Sequence, residues 1–175
     1  RFNTNATTGL ATFTLKADAS ATGRSVEICA LPLANTTNAR LCGENSLPCL
    51  YLRTTDFALS LWSSGYDGVV VPLATLNPLG HAGTYGVNTD RSLPANNTVV
   101  FYDGALYSNV VKTSSLTYNS SLSSYLANRP ALDRAMRGKF YAVRIYNRAL
   151  CADEITWNHV VDQIRFFGKN TTLFA

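Results

Sequence analysis

The sequence predicts an all-β fold, a sandwich of antiparallel strands with one short C-terminal helix lying against it. Three observations predict it. Short alternating or apolar runs recur between polar turns from Leu10 to Tyr146, the pattern of a sandwich or barrel. Glu occurs 3 times, Lys 4 times and Met once, so several of the better helix formers are scarce. Asn, Ser and Thr supply 48 of the 175 residues, which suits strands and turns.

Leu10 to Ala17 alternates, with Phe13 and Leu15 on one parity. In Arg24 to Leu31, Val26, Ile28 and Ala30 share a face, and Glu27 falls on the other. Leu50 to Thr55, Phe57 to Trp62 and Gly68 to Leu73 follow, then Gly83 to Thr89 with Tyr85 and Val87. Thr98 to Tyr102 and Ala105 to Lys112 flank Asp103-Gly104, a strong short-range hairpin signal. Gly138 to Tyr146 sets Phe140, Ala142 and Arg144 against Tyr141, Val143 and Ile145. No internal repeat and no long linker divides the chain, so residues 1–175 are expected to form one domain.

Ala152 to Phe166 differs. Trp157, Val160, Val161 and Ile164 stand at i, i+3, i+4 and i+7, one helical stripe. Asp153 and Glu154 fall in the first turn, where the helix dipole favours them. Gly168 is the expected stop. The stripe predicts that Trp157, Val161 and Ile164 dock on the sheet, leaving His159 at the surface.

Composition excludes several classes. No run approaches 18 apolar residues, so no helical membrane span is expected. The net charge of +4 comes entirely from residues 129–175, where the basic side chains are spaced rather than clustered. Nucleic-acid binding needs a concentrated basic stripe and is not expected. The sequence opens on Arg1 with no apolar leader, so the chain is expected to be processed or cut from a longer one.

The sequons at Asn5, Asn35, Asn96, Asn119 and Asn170 read as surface glycosylation sites. With four cysteines and no C-x-x-C, they point to a secreted or cell-surface chain carrying two disulfides.

Residues 138–166, GKFYAVRIYNRALCADEITWNHVVDQIRF, resemble the closing segment of the laminin G-like, concanavalin A-like jelly-roll domains. Gly138, Val143 to Leu150 and Asp153 to Ile155 carry the match. Upstream, VVFYDGAL at Val99 to Leu106 and LANR at Leu126 to Arg129 resemble the family's hairpin and its small strand with Gly-Asn. The resemblance implies a two-sheet antiparallel jelly roll. It implies a non-catalytic extracellular lectin-like or adhesion module that binds glycan or protein ligands. The alternative is a structural subunit of an extracellular glycosylated assembly.

Two positions depart from the family. The usual Ser or Thr helix cap is Cys151, a poorer cap, so a disulfide is expected in return. Cys42 and Cys49 share one polar loop and are expected to pair, leaving Cys29 with Cys151. The rival pairing is Cys29 with Cys49. The family's opening strand is also short or absent, with Phe2 and Asn3 as its only source. An unpaired edge there predicts strand addition between copies, through the Arg1 to Thr8 arm or the Asn170 to Ala175 tail.

Catalytic chemistry lacks its residues. Glu27, Glu44 and Glu154 are the only glutamates, and none stands in the paired-carboxylate motif that glycan-cutting enzymes of this fold use. No G-x-S-x-G occurs, and His81 and His159 are the only histidines. No enzyme is expected. The resemblance allows a rim calcium, with candidate oxygens on Asp67, Asn88, Asp90 and Asp103. Sugar platforms would come from Trp62, Tyr66, Tyr85, Tyr107, Tyr118 and Tyr125. Tyr66, Asp67 and Tyr85 are the ligand-binding candidates, with Tyr66 expected in the turn Ser63 to Gly68.

Overall fold

A computed structural model describes residues 2–4, 11–14, 21–35, 39–42, 49–52, 58–63, 66–72, 79–90, 92–93, 98–110, 123–128 and 135–169. The described strands, in chain order, are β1 (Phe2–Thr4), β2 (Ala11–Thr14), β3 (Gly23–Asn35), β4 (Ala39–Cys42), β5 (Cys49–Leu52) and β6 (Ala58–Ser63). They continue as β7 (Tyr66–Pro72), β8 (Gly83–Asp90), β9 (Thr98–Tyr102), β10 (Ala105–Val110), β11 (Ser123–Leu126) and β12 (Met136–Tyr146), followed by helix α1 (Ala152–Phe167).

Two six-stranded antiparallel sheets form the jelly roll. One runs β1-β12-β3-β8-β9-β10 and the other β2-β11-β4-β5-β6-β7. Alternation in β3 decides what each face of the first sheet carries. Val26, Ile28 and Ala30 join Tyr85, Val87, Val100, Tyr102, Met136 and Phe140 in the core, with Leu41 from the second sheet and Ala127 just past β11. The intervening residues Ser25, Glu27 and Cys29 face the other way and are equally buried, because α1 covers that outer face.

The Asp103-Gly104 hairpin forms as the sequence predicts, with φ of 49° and 81° and Ala105 opposite Tyr102. Both residues of such a turn need positive φ, which Gly adopts freely and Asp tolerates. Ala127 also has positive φ, 66°. It is clamped by Ala127 N–H to the Leu41 carbonyl (3.2 Å) and Met136 N–H to the Ala127 carbonyl (2.8 Å).

Several expectations need correction. Phe2 to Thr4 pair with Phe140 to Gly138 of their own chain, so the opening strand is present and these arm residues are engaged. The Asn170 to Ala175 tail lies outside the described residues. Cys29 is a buried free thiol and Cys151 an exposed one, so this pair forms no disulfide. Cys29 sits mid-strand under the helix, while Cys151 points outward at the helix start. The side chains of Cys42 and Cys49 lie outside the description. Asn35 is the last residue of β3, opposite Met136, rather than in a loop. Asn5, Asn96, Asn119 and Asn170 lie outside the described residues. No described helix is long and apolar enough to cross a membrane.

Candidate functional site

The helix is placed by polar contacts. At its start, the Cys151 N–H donates to Glu154 Oε2 (3.0 Å), and no side-chain disulfide is needed to begin it. Glu154 also receives both terminal nitrogens of Arg148, at 2.7 and 2.5 Å. Those Arg148 bonds, and then the Cys151 N–H, hold the Glu154 carboxyl down at about 2. Before the helix, Ser25 and Asn88 pin the chain. The Ser25 hydroxyl lies between the Asn88 amide oxygen and the Arg148 carbonyl. Asn88 donates to the Leu150 carbonyl (2.6 Å) and accepts its N–H (3.2 Å).

The face of α1 that meets the sheet is Ile155, Asn158, His159 and Asp162, again i, i+3, i+4 and i+7. Ile155 packs with Phe101, Leu150 and Tyr146. Asp162 is fully buried and takes both Nη atoms of Arg144, at 2.9 and 2.5 Å. Thr84 adds a third donor to it at 3.3 Å. Asn158 donates to Glu27 Oε2 (2.6 Å) and to the Tyr146 hydroxyl (3.1 Å). Burial lifts Glu27 from the ordinary 4.5 to about 7, against the pull of Arg144 and Asn158. Burial and the nearby Asp162 push the Cys29 thiol well above its usual range.

The predicted apolar stripe is therefore rotated. Trp157 is 50% exposed and Ile164 41%, and His159 is half-buried rather than at the surface. The reason is the sheet's outer face, which offers Glu27, Thr84 and Arg144. Desolvating those groups without partners is costly, so the helix turns its polar side inward. Charge alternation in β3 and β12 was the available signal: Glu27 pairs in register with Arg144, on the face away from the core.

This rotation leaves a cleft of about 450 Å³ along α1, lined by Tyr146, Leu150, Asp153, Glu154, Trp157 and Asn158. An exposed indole beside hydrogen-bonding side chains is the usual make-up of a sugar platform. Around the corner, a second cleft of about 360 Å³ includes Asn88, Asp90, Leu93, Leu106 and Cys151.

The sequence-predicted residues fall elsewhere. Tyr85 is fully buried with its ring 5.0 Å from Tyr102, so it is a core residue and not a platform. Its alternation with Val87 puts it on the inner face. Tyr66 begins β7, paired with Ser63, and Asp67 pairs with Trp62; Tyr66 is thus a strand residue, and both side chains lie outside the description. So do those of Trp62 and Tyr107, and the whole of Tyr118. Tyr125 is half-buried in β11.

Three of the four proposed calcium-binding residues are separately engaged. Asn88 binds Ser25 and Leu150. Asp90 accepts from Ser92 N–H (2.9 Å) and its hydroxyl (2.6 Å). Asp103 accepts from Thr84 N–H (2.8 Å) and meets His81 Nε2 at 2.9 Å. Asp67 is undescribed in its side chain. Among the described residues no group of three or more His, Cys, Asp and Glu is arranged to hold a metal ion.

No family model matches the chain, and no curated protein matches it. Solved structures do. The CBM40 of the Ruminococcus gnavus IT-sialidase, bound to alpha2,3 sialyllactose, superposes with a TM-score of 0.63 at 13% identity, over 82% of this chain and 84% of that one. A Bacteroides ovatus protein named for carbohydrate binding gives 0.62 at 13%, over 83% of this chain and 43% of that one. NanB sialidase from Streptococcus pneumoniae gives 0.63 at 12%, over 78% of this chain and 24% of that one. This chain thus spans less than half of the latter two. At such identities the likeness establishes the β-sandwich fold.

Proposed function

We propose that this chain is a glycan-binding module working outside the cell or at its surface, without catalysis of its own. The observation that carries the reading is Trp157. Its indole is half-exposed on a helix that buries Asp162, so the ring face is available to stack on a ligand. It stands at a cleft whose other members, Tyr146, Asp153, Glu154 and Asn158, offer hydrogen bonds to hydroxyls. The fold supports the same reading, since carbohydrate-binding modules are among its structural neighbours. The sequons at Asn35 and the four other positions support an extracellular setting. The cleft's carboxylates, Asp153 and Glu154, are adjacent in sequence on one helix end. Glu154 is committed to Arg148, so the acid–nucleophile pair of a glycosidase is not among its lining.

The test is a glycan array probed with the full chain and with Trp157→Ala. Binding that disappears in the variant, with its thermal unfolding unchanged, supports the reading. Binding to glycans that survives in the variant moves the site off α1.

A further inference from the structure

We infer that the cleft along α1 selects saccharides that carry no carboxylate, neutral or amine-bearing ones, and rejects sialylated ends. This rests on the glycan-binding reading and adds the ligand's chemical class.

Charge and hydrogen-bonding groups on the cleft wall set the ligand class. Asp153 and Glu154 line the cleft as carboxylates, which accept hydrogen bonds and donate none when ionised. Asn158 spends its amide N–H groups inward, on Glu27 and on the Tyr146 hydroxyl. Its carbonyl oxygen is what it has left for a ligand. The Tyr146 hydroxyl oxygen accepts from Asn158. The cation beside the cleft, Arg148, has both terminal nitrogens on Glu154, and its guanidinium carbon lies 6.0 Å from the Tyr146 ring centroid.

The described wall is therefore formally negative, two carboxylates against one guanidinium, with the Tyr146 hydroxyl and the Trp157 indole N–H as its neutral donors. Sugar hydroxyls and ammonium groups are donors and fit it. An ammonium group also gains from the face of Trp157. A sialic acid carboxylate is acceptor-only. Arg148 already carries Glu154, so a second carboxylate reaching it would sit beside that anion. Like-charge juxtaposition of this kind disfavours an anionic partner, by an amount that solvent screening tempers at an exposed pair.

The experiment is an array in which each sialylated glycan sits beside its desialylated core, with glucosamine oligomers added, probed with the full chain, Trp157→Ala and Glu154→Gln. The expected result is binding to cores or glucosamine oligomers about tenfold or more above the sialylated partners. Trp157→Ala should lose that signal, and Glu154→Gln should narrow the discrimination. Trp157-dependent binding that is equal or stronger for sialylated members overturns the inference and leaves the glycan-binding reading standing. Binding to none of the panel, or binding indifferent to Trp157, overturns both.

Discussion

The side-chain amide of Asn158 joins two groups that differ in burial: the Glu27 carboxylate at 2.6 Å, sealed beneath α1, and the Tyr146 hydroxyl at 3.1 Å, on the cleft wall. The buried carboxyl is thereby one hydrogen bond from the surface where a ligand would sit. Arg144, Asp162 and Tyr146 are the charged and titratable groups facing it.

Glu27 should make stability fall with rising pH. Its carboxyl lies near 7 in the fold against an ordinary 4.5, so ionisation disfavours the folded state. That penalty is absent below about 4.5, grows to about 7, and is constant above. Its ceiling is ~3 kcal/mol, at 1.36 kcal/mol per pKa unit. Glu27→Gln should unfold later than the parent in urea at pH 8, with the gain shrinking towards pH 4. Parallel stability curves across that range would rule out a raised Glu27.

Trp157→Ala should cost under about 1 kcal/mol of stability, because a half-exposed side chain is lost and Ala favours a helix. A buried indole would instead cost about 3–5 kcal/mol. Chemical denaturation of the variant separates the two outcomes directly.

Asp162→Ala should cost about 3–5 kcal/mol, the usual result of removing one partner from a buried pair. Arg144 would keep a guanidinium under α1 with its bidentate partner gone, and Thr84 would lose an acceptor. Hydrogen exchange should then show α1 opening before the sheet. A loss below 1 kcal/mol would mean that the pair does not seat the helix.

The two cysteines whose side chains are described should differ sharply towards a thiol reagent. Cys151 is exposed and Cys29 buried, with the Cys29 thiolate disfavoured by burial and by Asp162. Mass mapping after brief alkylation of the native protein should find Cys151 labelled and Cys29 labelled only after denaturation. Recovery of a Cys29–Cys151 cross-linked peptide would contradict the geometry around both.

The sequence by itself determined the sandwich, because alternation with period two assigns residues to faces locally. Val26, Ile28 and Val87 needed no tertiary information to be placed in the core. It also determined the Asp103-Gly104 hairpin, whose backbone conformation is a property of those two residues. It determined that Ala152 to Phe166 is helical, since spacing and first-turn acids act within one element. What only the tertiary structure decided is which face of that helix is buried. Periodicity finds a stripe by hydrophobicity and chose the one through Trp157 and Ile164. The sheet beneath carries Glu27, Arg144 and Thr84, so satisfying buried polar groups outweighed burying two large apolar side chains. That choice, made between elements distant in sequence, turned Trp157 outward and produced the cleft. Tyr85 illustrates the same limit from the other side: an aromatic on a strand is a platform or a core residue according to which sheet closes over it.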